Sequence, residues 1–438
     1  MRNVFIKCFA ISVLLLSLQS QAAKSPVDLS RSSQNGELRV RVLLPAIKKN
    51  SQIRGFDLKF YQLLNNKTKS NKRFVTSMNQ GSSWRVTCKG DRVFLNTKKD
   101  EFTLNLKSPV GIETPAGFLR LNGRPYREEL RVFAKDSKCK VVNVLNVEKY
   151  LDGVVNAEFS SNWSEQAVLA QVVAARTYAY YQVKEAKRLK RFYDLKSTTA
   201  DQVYKGAFKE DYLASQLVKK TKGMVLVGKL DLNKNPKPIK AFYHSVCGGK
   251  TELPQNVWGK RYKGYRRSVY CPYCHNSPGY QWDHKVTTED IKEMITKQTQ
   301  GKQKSWMKKW PRNWKADLKI SDLRKISLKK NKKNSSRVDK VVLRFRRTVE
   351  PARRWSLEID GARFRTWMGN RQLKSTNFKV LRGKRVAKKN RLWKFRGNGN
   401  GHGVGLCQWG AKKMGEKGHE MASILRHYYP EAKVKKVW

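Results

Sequence analysis

The pattern of apolar and polar residues changes near residue 147. Up to that point, short runs alternate apolar and polar side chains, as in LRVRVLLP (38–45), WRVTC (84–88) and VVNVLNV (141–147). Glycine, asparagine, proline and lysine separate the runs. Alternation with a period of two is typical of strands that bury one face. The pattern therefore predicts a β-rich part over residues 38–146.

Residues 147–430 mix helix-like and strand-like segments instead. Residues 165–187 (EQAVLAQVVAARTYAYYQVKEAK) carry the strongest helical pattern, with three alanines and Thr177 on one face. Small side chains allow close backbone approach, so we expect this helix to be central, with Ser164 as its N-cap. The predicted fold class is α+β: a β-rich part followed by a mixed α+β region around this alanine-rich helix.

A basic stretch at about residues 287–337 has the character of an insert in the mixed region. Its first part, residues 287–315, has a helical pattern with a tryptophan at every fourth position from Trp306 to Trp314. We interpret this row as an apolar face against the core, with a sugar-binding platform as the alternative. Residues 324–337 (RKISLKKNKKNSSR) are predicted to form a basic loop.

Residues 1–22 have the three parts of a secretory signal. Two basic residues precede the apolar run CFAISVLLLSL (8–18), and Ser20 and Ala22 offer a cleavage site. The run is shorter than the ~20 residues that span a bilayer, and an uncleaved anchor is the alternative. Residues 23–37 are interpreted as a polar linker. We therefore expect an exported protein, periplasmic, in the cell envelope or secreted, with no transmembrane segment after cleavage.

Charge narrows the class of partner. The 438 residues include 93 lysines and arginines but 34 acidic residues, for a formal net charge of +59 at pH 7. This surplus attracts polyanions, namely nucleic acids, anionic lipids or acidic cell-wall polymers. The signal peptide and the lack of a nucleic-acid-binding motif argue against nucleic acid. We therefore expect the cell wall as the partner, and residues 431–438 as a basic tail.

Cysteine spacing indicates a metal site. Removal of the signal leaves six cysteines, which an exported protein can pair as disulfides. His244-x-x-Cys247 and Cys271-x-x-Cys274 instead have the spacing of a tetrahedral, structural zinc site, with His275 as an alternative to His244. A disulfide of Cys247 with Cys271 or Cys274 is the competing interpretation. The other cysteines are interpreted as a disulfide and an unpaired thiol: Cys88 with Cys139, and Cys407.

Glu158 and the glycine-rich segment 397–411 (GNGNGHGVGLCQWGA) are further candidates for chemistry. Glu158 has apolar sequence neighbours, with Trp163 close by, and such a carboxyl keeps its proton near neutral pH, as a general acid must. His402 and Gln408 are polar groups in a segment whose glycines let the backbone bend sharply. For His402 the alternative is a buried histidine that satisfies backbone groups. The spacing matches neither a phosphate loop nor a dinucleotide loop, so no organic cofactor is expected.

Taken together, these segments resemble the SpoIID/LytB family, which comprises stage II sporulation protein D and the amidase enhancers. They occur in the family's order and are EKYLDGVVNAEFSSNWSEQAVLAQVVAARTYAY (148–180), DQVYKG (201–206), AFYHSVCGGKTELPQNVWG (241–259), RTWMGNRQLKSTNF (365–378) and GNGNGHGVGLCQWGAKKMGEKGHEMASILRHYYP (397–430). The likeness extends from about Leu38 to Tyr429, and its first and last segments are long and specific.

The resemblance implies a peptidoglycan lytic transglycosylase, which cuts between N-acetylmuramic acid and N-acetylglucosamine without water and leaves a 1,6-anhydro end. The sporulation branch implies glycan strands denuded of stem peptides by an N-acetylmuramoyl-L-alanine amidase. The family's catalytic glutamate falls on Glu158. Arg176 and Lys374 fall on positions suited to hold the lactyl carboxylate of the muramic acid. The weaker matches to substrate-binding positions are Gln202, Tyr204, His402 and Gln408.

The chain departs from the commoner family pattern at Asn156, where proline is frequent, and at Cys407, where serine is frequent. Neither change removes a charged group, so the implied activity stands. Ordinary glycosidases need two carboxyls. One suffices here because the 6-hydroxyl of the muramic acid attacks its own anomeric carbon. The competing interpretation is a non-catalytic wall-binding module that activates an amidase, as the amidase enhancers imply.

Overall fold

The computed structural model describes residues 38–438, apart from 49, 65–71, 79–80, 98–101, 116, 229–236, 301–304, 308–309, 331–334 and 388–389. The predicted signal peptide and polar linker lie outside the described residues, as does the centre of the basic stretch 324–337. Within the part that is described, helices and strands both contribute substantially. The predicted α+β class is confirmed.

The β-rich part forms two antiparallel sheets that pack face to face. Its strands are β1 (Arg39–Leu43), β2 (Gln52–Gly55), β3 (Leu58–Leu63), β4 (Lys72–Met78), β5 (Ser82–Lys89), β6 (Arg92–Thr97), β7 (Thr103–Lys107), β8 (Val110–Glu113), β9 (Leu119–Leu121), β10 (Arg124–Tyr126), β11 (Glu129–Lys135) and β12 (Lys138–Asn146). One sheet has the order β1-β12-β11-β8-β3-β4, and the other β10-β9-β2-β5-β6-β7. The predicted Cys88–Cys139 disulfide is present and joins β5 to β12.

Two helices follow directly and carry the candidate catalytic region. The first is α1 (Val147–Glu158), which Asn146 caps by accepting a hydrogen bond from the Glu148 N–H. The second is α2 (Glu165–Arg188), which confirms the predicted central helix. Its alanines are buried in the main hydrophobic core, as the small-residue face predicts. Ser164 precedes α2 but makes no side-chain capping bond.

The chain then adds β13 (Leu195–Lys196), α3 (Tyr212–Lys220), β14 (Met224–Gly228), β15 (Tyr243–His244) and α4 (Pro254–Trp258). β13 extends the first sheet by pairing in parallel with β1. A short 3-10 turn at Pro272–Cys274 ends this passage. These elements and the turn all precede residue 281, and they pack on the same core as the β-rich part.

Residues 281–398, called here the inserted unit, have a hydrophobic core of their own. The elements are β16 (Gln281–Thr287), α5 (Thr288–Gln298), α6 (Trp314–Lys319), β17 (Ser321–Lys330), β18 (Val338–Arg347), β19 (Arg354–Asp360), α7 (Gly361–Met368), β20 (Phe378–Ala387) and β21 (Asn390–Asn398). They form two three-stranded antiparallel sheets, β16-β21-β20 and β17-β18-β19. The second core reaches from Trp282 to Phe395, well beyond residues 287–337.

The basic stretch of this unit folds differently from its prediction. Residues 324–330 belong to β17, so the predicted loop is wrong there. Ile326 is buried in the second core, and the burial of such apolar residues favours a strand although lysines surround them. The helical pattern over 287–315 is confirmed only for α5 and for short turns. The tryptophan row does pack against the core, with Trp310 and Trp314 buried.

After the inserted unit the chain returns to the first core through β22 (Leu406–Cys407), α8 (Gln408–Glu416), α9 (Met421–Tyr428) and β23 (Ala432–Lys436). β22 pairs in parallel with β15, and β23 pairs with β14, so the predicted basic tail is a strand. No helix among the described residues is both long enough and apolar enough to cross a membrane.

Candidate active cleft and cysteine cluster

Glu158 is the last residue of α1 and lies partly buried. Its carboxylate accepts a hydrogen bond from the Val203 N–H. Burial raises the pKa of Glu158 from 4.5 to about 7, although the Val203 hydrogen bond opposes the shift. The negative end of the α1 dipole also disfavours the charged carboxylate. Glu158 can therefore both hold and release a proton near neutral pH, which acid–base catalysis requires.

Three aromatic side chains form a row of ring contacts that begins at Phe159, the residue after Glu158. Trp163 packs 6.4 Å from Phe159 between ring centroids, and Trp409 packs 5.2 Å from Trp163. All three are partly exposed, and Trp409 comes from the first turn of α8. Partly exposed rings in a row suit the apolar faces of sugar rings. The sequence prediction missed Trp409, although it stands directly after Gln408.

Gln202 is buried behind Glu158. Its side chain accepts from the Tyr150 hydroxyl at 3.1 Å and donates to the Tyr243 hydroxyl at 3.0 Å and to the Ala175 carbonyl at 3.2 Å. Because the next residue is Val203, this network fixes the N–H that meets Glu158. The predicted substrate contact of Gln202 is therefore corrected to a positioning role.

Tyr204 is also buried, and its hydroxyl donates to Asn143 Oδ1 at 2.8 Å. A fully packed phenol with this internal partner has no surface to offer a glycan. The predicted role of Tyr204 as a substrate-binding residue is corrected to core packing.

Arg176 is fully buried, with a side-chain exposure of 0%. Its guanidinium donates to both carboxylate oxygens of Glu148 and to Thr221, with further bonds to the Val218 and Met224 carbonyls. These contacts tie α2 to the start of α1, to α3 and to β14. The predicted contact of Arg176 with a lactyl carboxylate is corrected, because its donors are already engaged inside the protein.

The glycine-rich segment brings His402 and Lys374 to one place. The Gly401 N–H donates to the Lys374 carbonyl at 2.8 Å. His402 Nδ1 accepts from the Val404 N–H at 3.0 Å, and its ring lies 5.0 Å from that of the exposed Trp258. Burial lowers the pKa of His402 well below 6.5, and the nearby His244 and Arg337 add to this shift. The imidazole is thus neutral at physiological pH.

Gln408 begins α8 and is buried. Its Nε2 atom has no hydrogen-bond partner among the described residues. The amide donor of Gln408 is thus enclosed without a partner among the described residues, whereas Gln202, Tyr204 and Arg176 are satisfied internally.

Two arginines of the inserted unit hold the same loops. Arg337 Nη1 donates to the Gly401 carbonyl at 3.1 Å, and Arg365 donates to the carbonyls of Leu373 at 2.7 Å and Lys374 at 2.9 Å. Gly403 must be glycine here, because a Cβ would lie 2.0 Å from Arg337 Nη2. The inserted unit therefore holds the loops that carry His402 and Lys374, which the sequence did not reveal.

Four cysteines form a buried cluster: Cys247, Cys271, Cys274 and Cys407. Their sulfur atoms all lie within 4.8 Å of one another, and none of the four is in a disulfide. Gly410 makes room for the cluster, since a Cβ there would lie 2.7 Å from Cys271 Sγ. Four thiolates at such distances fit a closed tetrahedral zinc site.

This cluster corrects two predictions. His244 is not among the four, because its Nδ1 faces the Val404 carbonyl at 3.1 Å, and Cys407 takes the fourth place instead of remaining unpaired. His275 is exposed, with Nδ1 at the Pro272 carbonyl. One signal could have found Cys407: the Cys88–Cys139 pair leaves four cysteines, which is the number a closed site needs.

Comparison with known proteins agrees with this architecture. The family model described as SpoIID, stage II sporulation protein, matches residues 135–227, which hold β12, α1, α2 and Glu158. An uncharacterized protein of Brachyspira hyodysenteriae is 30% identical over 330 residues, covering 74% of this chain and 75% of that protein. The chain therefore belongs to the SpoIID family, whose members are related to the cell wall.

Relatives with functional names cover much of the chain as well. The amidase enhancer of Bacillus subtilis is 28% identical over 307 residues, covering 64% of this chain and 39% of that protein. Stage II sporulation protein D of Bacillus amyloliquefaciens is 24% identical over 303 residues, covering 66% of this chain and 74% of that protein.

Proposed function

We propose that this protein is an exported lytic transglycosylase that cleaves the peptidoglycan bond between N-acetylmuramic acid and N-acetylglucosamine. The observation that carries the proposal is Glu158, a partly buried carboxyl with a pKa of about 7, which is followed in the chain by the first of three partly exposed rings in a row. A single carboxyl that both gives and takes a proton is what a reaction without water needs.

In the proposed reaction, Glu158 donates its proton to the glycosidic oxygen as the bond from that oxygen to the anomeric carbon breaks. The 6-hydroxyl of the same muramic acid then attacks the anomeric carbon, and the Glu158 carboxylate takes the hydroxyl proton. One carbon–oxygen bond is lost and one is formed, the carboxyl returns to its starting state, and a 1,6-anhydro end results.

The side chains proposed to bind the glycan are those that internal hydrogen bonds do not saturate. Lys374 is partly buried at the glycine-rich loop, and its ammonium is proposed to hold the lactyl carboxylate of a strand that lacks its stem peptide. His402, held neutral, and the amide of Gln408 are proposed as hydrogen-bonding groups for the sugars. The aromatic rings of Trp163 and Trp409 are proposed to stack on the sugar faces.

The four-cysteine cluster is proposed to hold a structural zinc ion. It joins the 3-10 turn before the inserted unit to β22 after it, and so fixes the loop that carries His402. Closed ligation by four thiolates leaves no position for substrate, so the metal would support the fold and not the reaction.

A second function is favoured by the relative named amidase enhancer. In this alternative the cleft binds denuded strands without cutting them, and the protein stimulates an N-acetylmuramoyl-L-alanine amidase. Both functions use the same binding residues, so the two are distinguished only by whether the glycosidic bond is cleaved.

The test is digestion of purified denuded glycan strands, with product ends identified by mass spectrometry. Wild type should yield 1,6-anhydro ends, and Glu158→Gln should slow their formation by about 10²–10⁴-fold. Glu165→Gln, which changes an exposed carboxylate at the start of α2, is the matched control and should behave as wild type. If wild type and Glu158→Gln give equal products, or none, the enzyme proposal fails, and amidase stimulation becomes the assay.

A further inference from the structure

The outward face of the β17-β18-β19 sheet places like charges directly opposite each other. In the strand register Lys325 faces Arg344, and Arg346 lies between Arg354 on β19 and Asp322 on β17. All four cations are exposed. Like charges in directly opposed positions of a sheet destabilise the pairing. This face therefore holds an arrangement that works against the folding of the inserted unit.

The other end of the same face is neutralised. There Lys329 pairs with Glu358 at 2.7 Å, and Lys340 pairs with Asp360. The charge surplus is thus confined to one end of the sheet.

The unbalanced end encloses a hollow of about 440 Å³. We call it the outer basic face and define it by Arg324, Lys325, Arg344, Arg346 and Arg354, which line the hollow. Asp322, 3.6 Å from Arg324, is the carboxylate paired with this group among the described residues. Four of the five cations are arginines, whose planar forks bind carboxylates with two parallel hydrogen bonds.

The β20-β21 hairpin extends this positive surface. Arg385 lies directly opposite Arg391 in its register. Burial and the positive charges of Arg382, Arg385 and Arg324 lower the pKa of Arg391, so the hairpin adjoins the outer basic face. A third like-charge pair therefore belongs to the same continuous patch.

The position of the outer basic face relative to the cleft suggests its use. Arg337, which contacts the Gly401 carbonyl in the cleft, directly precedes β18, and Arg344 and Arg346 lie near the far end of that strand. At ~3.3 Å per residue, Arg337 and the outer basic face are about 25 Å apart along β18. A short oligosaccharide cannot reach both sites, whereas an extended polymer can.

We propose that the outer basic face is a second binding surface for carboxylate-bearing glycan strands, which it holds while the cleft acts on another part of the same strand. This rests on the proposed function for the identity of the polymer. Denuded strands carry lactyl carboxylates along their length, which matches a row of guanidinium groups in charge and hydrogen-bonding geometry. Two linked contacts on one strand raise the apparent affinity without any new chemistry in the cleft.

The experiment measures the binding of denuded strands of two lengths, shorter than and several times longer than the separation of the two sites. Every protein carries Glu158→Gln so that no strand is cut. The test variant combines Arg344→Gln, Arg346→Gln and Arg354→Gln. The matched control, Lys59→Gln with Lys107→Gln and Lys135→Gln, removes the same charge from exposed positions of the β-rich part.

We expect the test variant to bind long strands about ten-fold more weakly at low salt and short strands equally well, with the difference shrinking near 0.5 M salt, where the screening length is only a few ångströms. Amidation of the strand carboxylates should erase the difference. The variant should melt at the same temperature as its parent or higher, because it removes repulsion. The control variant should lose little at either length.

Equal loss for short and long strands would overturn the proposal, as would undiminished binding of long strands. Weaker binding to duplex DNA or to anionic lipid vesicles, with glycan binding intact, would assign the face to those partners and also overturn it. If wild-type protein makes no 1,6-anhydro ends but the length-dependent loss is seen, the second surface stands and only the enzyme proposal fails.

Discussion

The first core and the inserted unit treat their positive charges differently. In the first core, Arg41 meets Asp194 at 2.6 Å and Arg176 meets Glu148 at 2.6 Å, and all of these groups are largely buried. In the inserted unit, Arg337 is buried with no carboxylate within 4 Å among the described residues. The two buried arginines of the first core are thus part of its packing, whereas the buried Arg337 of the inserted unit is held for another loop. Other cations of the inserted unit are paired inside it, such as Arg353 with Asp317 at 2.5 Å.

The largest expected effect is on the free energy of unfolding, and it compares the loss of two buried arginines. Arg176→Met should lower the free energy of unfolding by about 3–5 kcal/mol, because Glu148 is left without its cation. Arg337→Met should change it by about 1 kcal/mol or less, since the lost hydrogen bond to Gly401 is offset by removal of an unpaired buried charge. Urea unfolding of both variants measures the two values.

Arg337→Met should affect catalytic activity more than it affects stability. Loss of the Arg337 side chain frees the Gly401 carbonyl and should lower turnover of denuded strands by about ten-fold or more, through misplacement of the loop. Arg337→Lys, which keeps the charge and one donor, should recover part of the turnover. Equal destabilisation by Arg176→Met and Arg337→Met would erase the contrast between the two regions.

The next largest effect concerns zinc binding by the four-cysteine cluster, which lies where the chain leaves the first core for the inserted unit and returns from it. Protein made without forced oxidation should contain one zinc per chain. With free zinc at ~100 times its dissociation constant, the metal adds about 2.7 kcal/mol to stability, which a chelator should remove. Cys407→Ser should weaken zinc retention, as measured by metal analysis after dialysis.

His244→Asn is the matched control, since His244 lies outside the cluster, and this variant should keep its zinc. Loss of zinc from His244→Asn but not from Cys407→Ser would restore the ligand set predicted from sequence. An absence of zinc together with an absence of free thiols would show that the cysteines pair as disulfides instead.

The smallest effect concerns Glu158. Unlike Glu148 and Asp194 of the first core, Glu158 has no cationic partner among the described residues, and burial raises its pKa. The folded state binds its proton more tightly than the unfolded state, since its pKa is about 7 in place of 4.5. Stability is therefore lost as pH rises from 4.5 to 7. The full pKa change corresponds to about 3 kcal/mol, and the partial exposure of Glu158 to solvent reduces this, so Glu158→Gln should be more stable than wild type by about 2 kcal/mol at pH 8 and by little at pH 4.

Thermal unfolding of both proteins across this pH range measures the difference. Asp152, whose pKa burial raises to about 6, titrates in the same range but is present in both proteins and cancels. Glu165→Gln should show no such growth with pH. A difference between wild type and Glu158→Gln that is independent of pH would mean that Glu158 is ionised throughout.

Local patterns predicted the regular parts of the fold well. The alternating runs became strands, and residues 165–187 became α2, because period and burial are local properties. β17 was missed since its lysines and arginines dominate the composition, while the apolar residues that fix it meet the second core only after folding.

The candidate site was harder to predict, because residue type does not report burial. Glu158 was singled out through its apolar sequence neighbours and through the family resemblance, and the structure buries it in part. Arg176 and Tyr204 matched family motifs, yet the structure encloses both side chains. Cys407 and Arg337 contact residues distant in sequence, such as Cys247, 160 residues away, and no local pattern contains that information.

The antiparallel pairing of β16 with β21 has a consequence for the order of folding. Gln281 faces Asn398, so the inserted unit leaves and rejoins the first core at adjacent points. Once this unit has folded, the chain between Cys247 and Cys407 behaves as a loop of roughly 40 residues, which lowers the closure entropy cost by about 1 kcal/mol. Assembly of the cysteine cluster is therefore favoured after the inserted unit has formed, and its closure is a late event.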